Sequence, residues 1–334
     1  MRTLLLHGAG DLRLVSAPDP VPAPGEELVR VTAVGLCGSD LHWFVDGSAG
    51  GWHMDGPFVL GHEIGGVIAT GPRAGMRVAV EPADACERCE ACVAGRTNLC
   101  EATRFRGAPG CDGALAELMA WPAQLLVPVP DSITEDEVPL LESLGVAIHS
   151  VGLGHVRPGM AVVVAGAGPI GLLIVAMLRA RGVGRIVVTE PLAHRRAAAL
   201  ALGADVAIAP DPDGIARATF AERAPVAFEA AGTEAGIATA CGAVRAGGRV
   251  VLVGIPSTDT YAIPAADARR KGLTFPVARR MQAPHLQQAV NLVHAGVVPL
   301  SMLVSATYAL ADGAAAFAAL VRRDGLKVVV RPNA

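Results

Sequence analysis

Four cysteines fall at Cys86-x2-Cys89-x2-Cys92-x7-Cys100, and no other feature of the chain restricts its fold so tightly. Thiols three residues apart can wrap one loop around a single metal ion. Cys100 then supplies the fourth corner of the tetrahedron that zinc takes in structural sites. A pair of disulfides would use the same residues. Since nothing else in the sequence points to an oxidising compartment, a metal is the expectation.

The chain has 334 residues, enough for two domains with separate cores. Hydrophobic residues make up 52% and aromatic ones only 4%, so the interior has to be packed from Ala, Val, Leu and Ile. A net charge of −3 provides no field to gather nucleic acid or an anionic membrane. Met160–Leu178 is long and nearly uncharged, but Gly166-Ala167-Gly168-Pro169-Ile170-Gly171 interrupts it. The interruption predicts a strand, a tight turn and a helix instead of a membrane span. The apolar run in Met1–His7 is too short for a signal peptide, and the protein is read as soluble and cytoplasmic.

Up to about Leu144, short apolar runs such as Glu27–Val31 alternate with Gly and Pro, which predicts a mostly β region. Apolar segments at Ala161–Ala165, Arg185–Thr189, Asp205–Ile208, Pro225–Glu229 and Arg249–Gly254 follow. Helix-compatible stretches at Ile170–Arg181, Ala193–Leu202 and Thr233–Val244 lie between them. This rhythm predicts a doubly wound parallel sheet, with Leu273–Val277 as its sixth strand. Beyond Arg279, a helix at His285–His294 and a strand at Lys327–Val330 are too few for a third domain and are expected to complete the first. The fold class is α/β, with one domain at 1–145 completed by 279–334 and another at 146–278.

Gly166-x-Gly168-x-x-Gly171 follows a strand and opens a helix, the context that a dinucleotide site requires. Gly166 allows the tight turn and Gly168 lets the backbone approach a pyrophosphate. Pro169 and Ile170 begin the helix whose amides face the anion, and Gly171 lets that helix pack on the strand. The next strand ends at Glu190, placed to accept hydrogen bonds from the adenosine ribose. Its charge would repel a 2′-phosphate, which favours NAD over NADP. His194, Arg195 and Arg196 could offset that charge, and Arg195 could equally stack near the adenine. Val253 and Gly254, ending the fifth strand, lie beside the nicotinamide or form an ordinary turn.

Cys37 in Gly35–His42 and His62-Glu63 in Leu60–Glu63 offer a thiolate, an imidazole and a carboxylate. Those are the ligand types of a catalytic zinc with an open position. Such an ion lowers the pKa of a bound alcohol and stabilises the alkoxide from which hydride departs. Together these motifs resemble the zinc-dependent medium-chain alcohol dehydrogenases over essentially the whole chain. The resemblance implies a GroES-like, mostly β catalytic domain and a six-stranded Rossmann domain, with two zinc ions per chain. Cys37 and His62 would bind the catalytic zinc, with Glu63 as a third ligand, and Cys86, Cys89, Cys92 and Cys100 the structural one. Ser39 matches the hydroxyl that passes the alcohol proton outward, His42 an extension of that relay, and Asp40 the carboxylate behind the metal ligands.

Within the family the chain is similar to the polyol dehydrogenases that act on sorbitol, xylitol or L-idonate. Cys37–Trp43 continues through Gly47–Gly50 to Gly56–Glu63 in their pattern. Leu141–His149 is similar to their Glu-Pro-Leu-x-Val-x-x-His motif. Ala278-Arg279-Arg280 stands where they carry Phe-Arg-Tyr, which implies that Arg279 contacts substrate and cofactor. Glu142 then replaces the cysteine ligand of simple alcohol dehydrogenases, directly or through water, and makes the metal a harder Lewis acid. Otherwise it is a helix-start carboxylate.

Three departures stand out: Gly66–Arg77 is short, Ser143 replaces the proline beside Glu142, and Arg280 replaces an aromatic. Arg280 suits an acidic sugar such as an aldonate, or an ion pair with a neighbour. The implied activity is zinc- and NAD-dependent oxidation of a secondary alcohol of a polyol or sugar acid to a ketone. The resemblance also implies a homo-oligomer, a tetramer or a dimer. A vicinal-diol (butanediol) or L-threonine dehydrogenase shares the same motifs. A zinc-independent quinone or enoyl reductase would have no use for Cys37 and His62. A zinc-ribbon reader of nucleic acid would surround its metal with cations. Here Glu81, Asp84, Glu87, Glu90 and Glu101 flank it, against Arg88 and Arg96.

Overall fold

In a computed structural model, which describes residues 1–211, 214 and 223–334, the chain divides into two units. One is Met1–Ser143 with Gln282–Ala334, and the other is Leu144–Met281.

The first unit is built on the strand Glu26–Gly35, whose Val29, Val31, Ala33 and Val34 are fully buried. It belongs to a seven-stranded sheet among the described residues. It pairs antiparallel with Glu63–Ile68, with Leu118–Pro122 and with the closing strand Lys327–Arg331. The C-terminal segment therefore completes a sheet begun near the N-terminus, and this brings Lys327 beside residues near 35 and 63. Trp121, Phe317, Leu6 and Ile64 fill the core. Each such side chain taken out of water contributes about 1.5–3 kcal/mol.

The second unit holds a parallel sheet in the order Val206–Ile208, Arg185–Thr189, Ala161–Ala165, Ala224–Glu229, Val244–Leu252. Strands buried on both faces have to be apolar throughout, which explains the valine runs. Five strands form the ladder among the described residues. The predicted sixth, Leu273–Val277, is joined only by isolated bridges, Arg249 with Thr274 and Leu252 with Val277. Thr274 N–H donates to the Gly248 carbonyl and Ala278 N–H to that of Leu252. The donor due between them belongs to Pro276, which has no N–H. The uncharged stretch after Met160 is the strand Ala161–Ala165, a glycine turn and the helix Pro169–Ala180. Among the described residues, no helix is long and apolar enough to cross a membrane.

Candidate active site

The sulfurs of Cys86, Cys89, Cys92 and Cys100 lie within 4.8 Å of one another. Four thiolates around zinc at about 2.3 Å stand about 3.8 Å apart, so this donor set fits that ion. The short helix Glu90–Val93 and the turn Thr97–Leu99 bring them together. The Cys86 amide donates to Cys100 Sγ at 3.3 Å and draws the Cys100 thiol down to about 6. Burial and the neighbouring thiols push Cys92 up to about 12.

A second group joins Cys37, His62 and Glu63, whose ligand atoms also lie within 4.8 Å of one another. Cys37 caps the helix Gly38–Asp46, directly after the strand Glu26–Gly35. His62 precedes the strand that Glu63 opens. Gly61, at φ 95, has to be glycine, because a Cβ there would lie 2.7 Å from Val34. Asp40, fully buried, accepts from Cys37 N at 2.9 Å and Gly61 N at 3.2 Å. Its Oδ1 stands 3.6 Å from His62 Nδ1. One carboxylate therefore ties both ligand-bearing segments. Burial opposes the charged form of His62, but Asp40 outweighs it and raises the imidazole well above its ordinary value. The Phe105 ring, 5.3 Å from the imidazole, is its apolar neighbour.

Glu63 is held by two side chains. Ser143 Oγ donates to Oε1 at 2.7 Å, and Lys327 Nζ forms an ion pair with the carboxylate. The sequence departure at Ser143 thus acts on Glu63, a partner that its neighbour Glu142 had concealed. In the sequence Lys327 marks only the start of the strand Lys327–Val330. Its signal was a lone charge opening the apolar run Lys327–Val330, whose next three residues are buried. Burial lowers the Lys327 pKa and the charges of Glu63 and Cys37 raise it, with a net rise.

Glu142 lies in the first turn of the helix Leu140–Leu153 and is not a member of the Cys37–His62–Glu63 group. Burial pushes its carboxyl up to about 7, against the pull of His62. Ser39 is half-buried in the first turn of its helix, and His42 Nδ1 lies 3.1 Å from Asp46 Oδ2 one turn on.

In the second unit Gly166 takes φ 101, and a Cβ on it would lie 2.8 Å from Ala231 N. A Cβ on Gly171 would lie 2.1 Å from the Gly166 carbonyl. Around Gly168 the nearest atom to such a Cβ is Arg195 Nη1, 3.8 Å away, so this face of the turn is open. Pro169 and Ile170 start the helix that Gly168 caps. Both Glu190 oxygens accept backbone amides, Ala167 N at 2.8 Å and Leu192 N at 3.0 Å. Arg196 is spent on the carbonyls of Glu190 and Pro191, at 2.8 and 2.7 Å. Val253 N and Gly254 N both donate to the Glu229 carbonyl. Arg279 is exposed, Arg280 takes φ 53 and His149 is buried, which lowers its pKa. Glu229, which ends the apolar strand Ala224–Glu229, carries the same signal in the sequence as Glu190 does.

The alcohol dehydrogenase GroES-like domain family matches residues 23–131, and the zinc-binding dehydrogenase family matches residues 169–295. Sorbitol dehydrogenase of Homo sapiens is 35% identical over 98% of this chain and 95% of its own length. An alcohol dehydrogenase from E. coli CFT073, complexed with NADH, has a TM-score of 0.88 and 26% identity, with 99% of each chain covered. L-idonate 5-dehydrogenase from E. coli K-12 has a TM-score of 0.87 and 26% identity, covering 99% of this chain and 97% of that one.

Proposed function

Since the chain belongs to the zinc-dependent medium-chain alcohol dehydrogenase family, we propose that it oxidises a secondary hydroxyl of a polyol or sugar acid to a ketone, with NAD as the hydride acceptor. It is a zinc-binding, NAD(P)-dependent dehydrogenase of the polyol type. The observation that carries the reading is the group of half-buried Cys37 with buried His62 and Glu63, assembled on segments that Asp40 ties together.

Residues 1–145 with 279–334 would carry the reacting alcohol, and residues 146–278 the cofactor. A zinc ion held by Cys37, His62 and Glu63, with Glu142 bound directly or through water, would acidify a coordinated hydroxyl and polarise its oxygen. Ser39 takes the released proton and His42 hands it toward solvent. Asp40 orients His62, since a carboxylate behind a ligating imidazole sets its tautomer and raises its basicity. Lys327 offsets the charge of Glu63, which keeps surplus anion out of a site that has to accommodate a developing alkoxide. Glu190, with both oxygens engaged by amides, disfavours a 2′-phosphate. Arg280 supplies a cation for a sugar acid.

Steady-state kinetics on sorbitol, xylitol, L-idonate, 2,3-butanediol and threonine, each with NAD and with NADP, tests this. The highest kcat/KM should fall on one of the first three, with NAD. A maximum on butanediol or threonine transfers the assignment to those enzymes. Activity that survives a strong chelator removes the zinc from the mechanism.

A further inference from the structure

Glu229 ends the strand Ala224–Glu229 with its side chain fully buried. Its Oε1 accepts from Ala231 N and Gly232 N, each at 2.9 Å, while its backbone carbonyl accepts from Val253 N at 2.8 Å and Gly254 N at 3.0 Å. Oε2 is buried without a hydrogen-bond partner, 2.8 Å from where a Cβ on Gly254 would stand. The same Cβ would lie 2.1 Å from Gly232 N, and one on Gly232 would lie 2.4 Å from the Ile255 carbonyl. One glutamate thus sits in a knot of two turns that leaves no room for a side chain at either glycine.

Capping the next helix does not account for it. Thr233 already caps Glu234–Ala243 through its bond from Gly236 N at 3.0 Å. The amides that Glu229 binds precede that cap. A buried carboxyl is costly unless it organises something, and burial raises this one against the pull of the amides around it. What it organises are the turns at the carboxyl ends of two adjacent strands.

Dinucleotides bind across the carboxyl edge of such a sheet, one mononucleotide over each half. Glu190 lies on the half made by Arg185–Thr189 and Val206–Ile208, which assigns the adenosine there. Ala224–Glu229 and Val244–Leu252 form the other half. We propose that Glu229 is a positioning residue for the nicotinamide half of the cofactor, pinning the turns 230–232 and 253–255 against each other. This rests on the reading that the second unit binds a nicotinamide dinucleotide.

The test compares dissociation constants for NADH, by fluorescence titration, and for AMP, by calorimetry, in wild type, Glu229→Ala and Glu229→Gln. Glu229→Ala should weaken NADH by about tenfold or more and leave AMP within about twofold, while Glu229→Gln, which keeps an acceptor, stays within about threefold for both. Gly254→Ala forces a methyl between Gly232 N and Oε2, and should give the same split with the carboxylate in place. Unchanged NADH binding in both alanine variants overturns the proposal. So does an equal loss of NADH and AMP, which would mean a general loosening of the unit. If wild type fails to bind NADH while still binding zinc, the cofactor reading falls, and this proposal with it.

Discussion

The ammonium of Lys327 and the carboxylate of Glu63 form an ion pair closed to solvent, with side chains 2% and 0% exposed. Attraction at that depth repays desolvation only while both partners are present. Lys327→Met should therefore cost about 3–5 kcal/mol of stability, because it leaves a buried carboxylate uncompensated. Lys327→Arg keeps the charge and should lose less. Urea unfolding followed by the fluorescence of Trp43, Trp52 and Trp121, all in the same unit, reads the difference. An unchanged midpoint in Lys327→Met would mean that the pair contributes nothing to the fold.

Asp40 joins the two metal-bearing segments through Cys37 N, Gly61 N and His62. Asp40→Asn keeps the shape but trades one acceptor for a donor, so one of those amides loses its partner. Zinc affinity at the Cys37 site should fall about 10–100-fold. Chelator competition with metal analysis should then show one zinc per chain lost at a concentration that leaves the cysteine lobe loaded. Equal retention of both ions would separate Asp40 from the metal.

Local spacing made much of this site legible. The cysteine lobe, the glycine turn before Pro169 and the Cys37 and His62 segments each lie within a few residues or sit at the mouth of a recognisable strand. Lys327 was not legible, since its partner stands 264 positions away and they meet only when the last strand joins the central sheet. Ser143 could be seen as a departure, but its hydroxyl reaches Glu63 and not its sequence neighbour, a choice that only helix packing decides. The apolar content of Leu273–Val277 predicts a sixth strand, and the segment does lie parallel beside the fifth, but Pro276, which lacks a donor, limits it to isolated bridges.

Glu190 should control the choice of cofactor. Glu190→Ala removes the anion and the acceptor of Ala167 N and Leu192 N together. The ratio of kcat/KM for NAD to that for NADP should drop by about tenfold or more, mostly through KM. A ratio that holds would place ribose recognition elsewhere, with Arg195 beside Gly168 the first residue to test.

Glu229 makes a prediction about pH. Burial raises its folded pKa above the ordinary glutamate value near 4.5. For a raised group, the stability it lends is complete below the unfolded pKa and is lost as pH climbs through the folded one. Glu229→Gln cannot ionise, so its melting temperature relative to wild type should improve from about pH 4.5 upward and level off once pH passes the folded pKa. Differential scanning fluorimetry at constant ionic strength checks the slope. A difference that does not move with pH would mean that the carboxyl titrates normally.

Ser39 is the residue on which proton transfer depends in the proposed reaction. It follows Cys37 in the first turn of its helix and is half-buried. Ser39→Ala should lower kcat by about two to four decades if the hydroxyl does general acid–base work, while zinc content and NADH affinity stay unchanged. Ser39→Thr keeps the oxygen and should recover part of the rate. The surviving rate of Ser39→Ala should rise with pH, because hydroxide from solvent can take over the missing transfer. Turnover equal to wild type across pH 6–10 in the alanine variant would remove Ser39 from the mechanism and leave the proton a different route out.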